Sequence, residues 1–131
     1  MAKASKVKEI VATTPNKVGM LAKITNAISD AGVNIIAISA HTMGNKAKFM
    51  IVTEDNQKAM RALRKKKLIV GEGDAVSVTL SNKIGSAREL ANKLAKAGID
   101  LNYCYGSTGN GSESLMVFST KDVKKAIEAC G

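Results

Sequence analysis

The sequence has few of the residues on which catalysis and base stacking depend. Its 131 residues include one histidine, two cysteines, one proline and no tryptophan, and aromatic residues make up 3% of the chain. The single histidine, His41, has no serine or cysteine motif beside it, and no two carboxylates are spaced for shared acid–base work. We therefore predict that the protein is not an enzyme, and we predict no cofactor and no metal site.

Long apolar runs are also missing. No run approaches the ~18 residues that a membrane-spanning helix needs, and the first residues, Met-Ala-Lys-Ala-Ser-Lys, lack the hydrophobic core of a signal peptide. Cys104 and Cys130 lie in unrelated sequence contexts, which favours reduced thiols over a disulfide. We expect a cytoplasmic protein that does not associate with a membrane.

Positive charge is abundant but unevenly placed. The formal net charge is +9, and residues 1–67 carry 13 Lys/Arg against 4 Asp/Glu, whereas residues 68–131 carry 7 of each. The densest patch is Arg-Ala-Leu-Arg-Lys-Lys-Lys at 61–67. Such a run is usually the solvated end of a helix, where cations suit the dipole. The alternative is an acidic partner or a nucleic acid.

Two copies of one plan make up the chain. The stretch from Thr14 to Ile38 returns without a gap 66 residues later, from Leu80 to Cys104. The matching motifs are Asn16-Lys17-x-Gly19 with Asn82-Lys83-x-Gly85, and Ala31-Gly32-Val33-Asn34 with Ala97-Gly98-Ile99-Asp100. Such repeats determine the domain organisation. We predict two domains, residues 1–71 and 72–131.

The first copy predicts the split βαβ plan. Its predicted elements are a strand at 6–13, a helix from Val18 to Ala31, a strand at 33–40 buried on both faces, a strand at 46–53 after a Gly-Asn turn, a second helix, and a short strand at 68–70. The order strand, helix, strand, strand, helix, strand is typical of a ferredoxin-like α+β fold, with an antiparallel sheet and both helices on one face.

Each first helix carries an apolar stripe and ends at a glycine. The stripe residues are Val18, Leu21, Ile24, Ile28 and Ala31 in the first copy, and Ile84, Ala87, Leu90, Leu94 and Ala97 in the second. Gly32 and Gly98 then stand in the usual position after a helix end.

The second copy lacks a last strand. Its elements are predicted at 75–80, 84–97, 99–105, 113–119 and 121–129, and Gly71–Gly73 is predicted to be a hinge between the copies. Without a fourth strand, the strand at 75–80 has a bare edge, and bare edges invite pairing. We expect a partner, or an unusual arrangement of residues 68–80, to cover it.

The loop before each first helix is the best candidate for a binding site. Backbone N–H groups at a helix start have no partner within the helix, so a carboxylate can bind there, and Gly19 and Gly85 allow a close approach. Side-chain amides and carboxylates can then accept from an ammonium group. The polar residues concerned are Asn16, Asn82, Asn34 and Asp100. The pattern fits a cradle for an α-amino acid, or simply a helix cap with a turn glycine.

These motifs resemble those of the ACT domain, the small-molecule sensor of amino-acid metabolism. The resemblance covers nearly the whole chain twice and implies an amino acid held by the first loop of one copy and the second strand of the other, with the bound ligand favouring one orientation of the copies. The residues so implied are Asn16, Lys17, Val18, Gly19, Met20 and Asp100 for one site, and Asn82, Lys83, Ile84, Gly85, Ser86 and Asn34 for the other. Val18 and Ile84 depart from the family pattern, where proline often precedes the glycine. The resemblance also implies a homo-oligomer or a partner enzyme that receives the signal.

Two other interpretations remain open at this stage. The RNA-recognition fold shares this topology and stacks bases on aromatics of its central strands; Phe49 and Phe118 lie on the third strands here, but the aromatic pattern of that family is missing. The second interpretation is a scaffold protein that binds no ligand. The glycine-rich stretch Gly106–Gly111 lacks the helix and the Lys-Ser/Thr of a phosphate loop, so we predict that it forms a hairpin.

Overall fold

The computed structural model describes residues 3–108 and 111–131, and the chain divides into two compact units. The first unit is Lys8–Gly73, and the second is Asp74–Gly131 together with the residues up to Val7. The sequence repeat placed the division after residue 71 and assigned the first residues to the first domain. Contacts in the structure group them with the second unit.

In the described residues, six strands and four helices follow one another in the predicted order, except that two of the predicted strands are one. They are β1 Lys3–Pro15, α1 Met20–Asp30, β2 Ile35–Met43, β3 Lys46–Thr53, α2 Asn56–Lys65, β4 Ile69–Ser81, α3 Ser86–Lys96, β5 Tyr103–Thr108, β6 Glu113–Ser119 and α4 Val123–Cys130. The ferredoxin-like α+β fold, with antiparallel strands and helices on one face, is confirmed. Within the described residues, none of these helices is long and apolar enough to cross a membrane.

The first unit has the strand order β2-β3-β1-β4. Strand β3 is antiparallel to both β1 and β2. The sheet and the two helices enclose one apolar core, and its fully buried side chains include Ile10, Ile24, Ile28, Ile51 and Leu63. Burial of this aliphatic surface is the main stabilising term for the unit.

The second unit has the strand order β1-β4-β6-β5, and the start of β1 fills the place of its missing strand. Among the described residues α4 is the last element, and Lys3–Val7 lies beside β4. Ala4 packs against the core of this unit, and Lys6 Nζ is 3.7 Å from Asp74 Oδ2. The edge that was expected to need a partner is therefore covered by the beginning of the chain.

The junction between the copies, predicted at Gly71–Gly73, is extended strand and not a turn. Strand β4 runs without interruption from Ile69 to Ser81, and neither glycine has a positive φ. Strand β1 lies beside β4 in both units, so these residues have a neighbouring strand to pair with and stay extended. The two separate strands predicted at 68–70 and 75–80 are one.

Both first helices begin two residues later than predicted, at Met20 and Ser86. Gly19 and Gly85 adopt left-handed φ values of 94° and 91°, so Val18 and Ile84 lie outside the helices. Both side chains are fully exposed, at 103%. The faces that are buried consist of Met20, Ile24, Ala27 and Ile28 in α1, and Ser86, Leu90 and Leu94 in α3.

Strand β2 is not buried on both faces as predicted. Ile36 and Ile38 are 50% and 36% exposed. The strand lies at the edge of its sheet with only β3 beside it, and a bulge between Ile35 and Ala37 interrupts its register. The apolar run at 33–40 therefore contains a strand at the edge of the sheet and not one buried on both faces.

We expect the two cysteines to differ in reactivity. Cys104 is exposed and Cys130 is buried. Burial raises the pKa of the Cys130 thiol above its ordinary value of 9.0, and nearby Lys93 opposes this only in part. Because the thiolate is the nucleophile, iodoacetamide at mildly alkaline pH should alkylate Cys104 at least about tenfold faster, as followed by peptide mass spectrometry. Equal rates in the folded protein would contradict this assignment.

Candidate functional site

The two strand-to-helix loops have the same anchoring. The Asn16 N–H donates to the Asn45 carbonyl at 2.9 Å, and the Asn82 N–H donates to the Ser112 carbonyl at 2.8 Å. A backbone hydrogen bond thus joins the first loop to the hairpin between β2 and β3, and the second loop to the hairpin between β5 and β6. The repeated asparagine marks equivalent corners of the two sheets.

Each helix that follows begins without a side-chain cap. Gly19 and Gly85 occupy the N-cap positions of α1 and α3, and the first helical hydrogen bonds run from Lys23 N–H and Glu89 N–H to their carbonyls, both at 2.9 Å. Most N–H groups of the first turn therefore have no partner inside the helix. A negatively charged group placed there is favoured by these donors and by the helix dipole.

The two helix starts differ in charge. Helix α3 carries Glu89 in its first turn, whereas α1 has no acidic residue there. A carboxylate at this position stabilises its own helix and opposes the approach of a second anion. Lys83 in the loop before α3 supplies a compensating cation near the same corner.

A groove of about 380 Å³ lies beside the start of α3. Its lining comes from the loop, from the first turn of α3 and from the facing ends of β5 and β6. The lining residues are Leu80, Ser81, Asn82, Lys83, Ser86, Ala87, Gly106, Ser107, Thr108, Ser114, Leu115 and Met116. The volume falls within the ~300–1,000 Å³ typical of small-molecule sites, and the mixture of apolar wall and a few polar groups is also typical.

Gly106 shapes the groove. It lies within β5 opposite Met116, and a Cβ atom at this position would be 2.7 Å from Met116 Cγ and 3.0 Å from the Leu115 carbonyl oxygen. Only glycine lets the two strands and the Met116 side chain come this close. Gly106 is therefore part of strand β5 and not of the hairpin loop that the glycine-rich sequence predicts. A glycine within a strand commonly marks such a close approach.

Asn16 and Asn82 use their side chains differently. Asn82 Nδ2 donates to the Gly111 carbonyl at 3.0 Å, so its amide also supports the hairpin beside the groove. The side chain of Asn16 is exposed and makes no hydrogen bond within residues 3–108 and 111–131. It is available to a ligand.

Asn34 and Asp100 lie at the other end of their sheets. Asn34 Nδ2 donates to Glu54 Oε1 at 3.4 Å, and the Asp100 carbonyl accepts from Thr120 Oγ1 at 2.7 Å. Glu54 and Thr120 follow the ends of β3 and β6, while the loops contact the hairpins where these strands begin. Strands of 8 and 7 residues separate the two ends by roughly 25 Å. One small ligand therefore cannot touch both the loop and the Asn/Asp of the same unit, and the exchange of partners between copies that the resemblance implies stays a prediction.

The aromatic residues on the third strands are not exposed for stacking. Phe49 is 5% exposed and Phe118 is 0% exposed, and each belongs to the apolar core of its unit. Base stacking requires accessible rings. The structure thus removes the observation that favoured an RNA-recognition surface on the sheet.

Comparison with known proteins agrees with this architecture. Residues 8–68, most of the first unit, match the family model of the ACT domain. A protein of Bacteroides thetaiotaomicron has a similar structure, with a TM-score of 0.87 and 22% identity over 96% of this chain and 87% of that one. The regulatory subunit of aspartate kinase from Thermus thermophilus gives a TM-score of 0.68 at 13% identity, covering 98% and 93%, and that from Thermus flavus gives 0.66 at 14%, covering 98% and 94%. The search of curated proteins gave no match.

Proposed function

We propose that the protein senses a free α-amino acid in the cytoplasm. The match of residues 8–68 to the family model of the ACT domain supports a regulatory role that depends on binding a small molecule. The signal passes to a partner enzyme or to the assembly of the protein itself. The regulatory aspartate kinase subunits of the same fold support this role. Two cysteines without a disulfide are in keeping with a reducing compartment.

One observation carries the proposal: each unit presents a helix start that is capped by a left-handed glycine and by no side chain. In the second unit this helix start opens onto the groove of about 380 Å³. The carboxylate of an amino acid would accept hydrogen bonds from the first-turn N–H groups of α3, with Lys83 close by. Its side chain would lie against Leu80 and Met116.

The ammonium group needs an acceptor. The side-chain oxygen of Asn82 is suitable in the groove beside α3, because the Nδ2 of this amide already donates to the Gly111 carbonyl, and the exposed amide of Asn16 is its counterpart in the loop before α1. Regulation then follows from linkage. A ligand that binds one state of the protein more tightly shifts the population toward that state by the difference in binding free energy.

The proposal is tested by a thermal-shift screen against the twenty amino acids, with a short RNA and DNA panel beside it. A ligand present at about 100 times its Kd stabilises the folded state by ~2.7 kcal/mol, which corresponds to a rise in Tm of roughly 10 °C for a chain of this size. We expect one or a few amino acids to give such a rise. A rise with nucleic acid alone, or with neither, would overturn the proposal.

Replacing Asn16 and Asn82 together by alanine is expected to abolish this ligand-induced rise. The double variant removes the exposed amide in one loop and the support of the groove wall in the other, and the far-UV circular dichroism spectrum should not change. The matched control is Asn26→Ala with Asn92→Ala, because these exposed helical asparagines occupy equivalent positions in the two copies. If N16A/N82A binds as well as N26A/N92A does, the site is elsewhere.

A ligand-free assembly module is the second candidate, and Val18 and Ile84 favour it. Each side chain is 103% exposed at the tip of its loop. Covering exposed apolar side chains with a protein surface lowers the free energy of the complex. Replacing both by serine separates the two functions. Loss of oligomerisation with unchanged amino-acid binding would assign the tips to assembly.

A further inference from the structure

A second groove, of about 490 Å³, runs between α1 and α2 of the first unit. Its floor consists of alanine side chains and its rim is mostly cationic. The lining residues are Ala27, Asp30, Ala31, Lys58, Arg61, Ala62, Lys65 and Lys66. We call this surface the basic groove, and the amino-acid site described above does not include it.

The cations of the basic groove form no salt bridge with any described residue. Lys58, Arg61 and Lys65 are spaced 3 and 4 residues apart along α2, so they lie on one face of that helix. Within residues 3–108 and 111–131, neither these three residues nor Lys66 forms a salt bridge, although Asp30 lines the same groove. The positive potential of the groove is therefore uncompensated.

The helix dipole accounts for only part of this charge. Arg64 and Lys65 stand in the last turn of α2, where cations are favoured. Lys58 lies in the first turn of α2, and its Nζ is 4.0 Å from where a Cβ of Gly32 would be, just beyond the end of α1. Arg61 is in neither position and has no such explanation.

The second copy shows that the fold does not require these cations. Asp55 caps α2 and Asp122 caps α4 in the same way, so that Lys58 corresponds to Lys125, Arg61 to Glu128 and Ala62 to Ala129. The same helix pair thus forms with a carboxylate in place of Arg61. The charge of the first copy is a feature of its surface and not of its folding.

We propose that the basic groove docks an acidic segment of a partner protein. Charge complementarity with the uncompensated rim supplies the attraction and speeds association. Alanine methyl groups on the floor leave room for a backbone to lie close to both helices. From Lys58 to Lys65 the rim is ~11 Å long at 1.5 Å per residue, which matches about three or four extended residues.

A polypeptide fits this surface better than a nucleic acid. No aromatic side chain lines the basic groove, so bases have nothing on which to stack. Asp30 on the rim repels phosphates, whereas a polypeptide can offer it an N–H or a hydroxyl donor. An acidic protein segment satisfies both the cations and the single carboxylate.

Fluorescence anisotropy with a labelled peptide of four Ala-Glu-Glu-Ala-Leu repeats tests the proposal on the full chain. We expect saturable binding, and no binding of the same peptide with glutamine in place of glutamate. Arg61→Glu with Lys65→Glu should weaken binding at least about tenfold, since two attractions become repulsions. Failure of the wild-type chain to bind the acidic peptide would overturn the proposal.

The control carries the same change in net charge at another place. Lys124→Glu with Lys125→Glu alters exposed residues of α4 and should leave the affinity within about twofold. Equal losses in both variants would show attraction to the overall charge and would overturn the proposal, as would tighter binding of oligothymidylate than of the peptide. Because glutamate near the end of α2 opposes its dipole, Arg61→Gln with Lys65→Gln serves as a second variant, for which an intermediate loss at unchanged Tm is expected.

Discussion

A chain that lacks residues 2–7 is expected to lose most of the stability of its second unit. Residues Lys3–Val7 form the edge strand beside β4, and Ala4 packs against the core of that unit. Each backbone hydrogen bond that this segment makes with β4 would be lost at ~1 kcal/mol, together with apolar burial. A loss of even ~4 kcal/mol is a large share of the roughly 5–15 kcal/mol that a folded domain usually has.

Hydrogen exchange locates the effect of this deletion. Amides of α3 and β6 should lose protection in the shortened chain, while those of α1 and β3, whose core lies in the first unit, keep it. The control is Lys6→Ala, which removes only the half-exposed ion pair with Asp74 at 3.7 Å and should cost under about 1 kcal/mol. A shortened chain with the melting temperature of the full chain would show that β1 does not serve the second unit.

Gly106→Val is expected to destabilise the second unit and to weaken ligand binding in the proposed site. The new Cβ would be 2.7 Å from Met116 Cγ, so that the Met116 side chain must move, and 3.0 Å from the Leu115 carbonyl oxygen, which is a tight contact. Such overpacking usually costs about 1–3 kcal/mol. The added methyl groups also enter the groove beside α3. The amino acid identified by thermal shift should bind the variant at least about tenfold less tightly.

Ala40→Val provides the matched control for Gly106→Val. Ala40 is the equivalent residue of the first copy, it lies in β2 opposite Phe49, and it already carries a Cβ. Valine is favoured in an extended strand. The free energy of unfolding, measured by urea denaturation, should therefore change by less than about 0.5 kcal/mol. If the two variants behave alike in urea denaturation and in ligand titration, Gly106 has no special role.

Local signals were sufficient for most of the fold. The repeat gave the order of the elements, because each element depends on spacing and turn residues close in the chain. Gly32 and Gly98, with φ values of 75° and 70°, follow their helices where the sequence predicts. Of the site, the sequence located both loops and both left-handed glycines, since a glycine before an amphipathic stretch is itself a local signal.

The errors came from features that depend on distant neighbours. Gly71 and Gly73 indicated a hinge when taken alone, but they are extended in a strand that has β1 beside it. Val18 fits a helical spacing, yet the conformation of the next residue places it outside the helix. Gly106 belongs to the groove only because Met116, ten residues later, packs where its side chain would be.

The sequence by itself therefore determined two copies of a βαββα plan, their apolar faces, their paired glycine loops and the excess charge of the first copy. Tertiary structure alone decided which strand covers the edge of β4, where the groove beside α3 opens, and that the cations of α2 border a groove with α1. The physical reason is the distance along the chain over which each feature is determined. Backbone conformation and amphipathic spacing depend on neighbouring residues. Strand pairing and grooves depend on contacts between segments that are far apart in the sequence, and these contacts have no local signal.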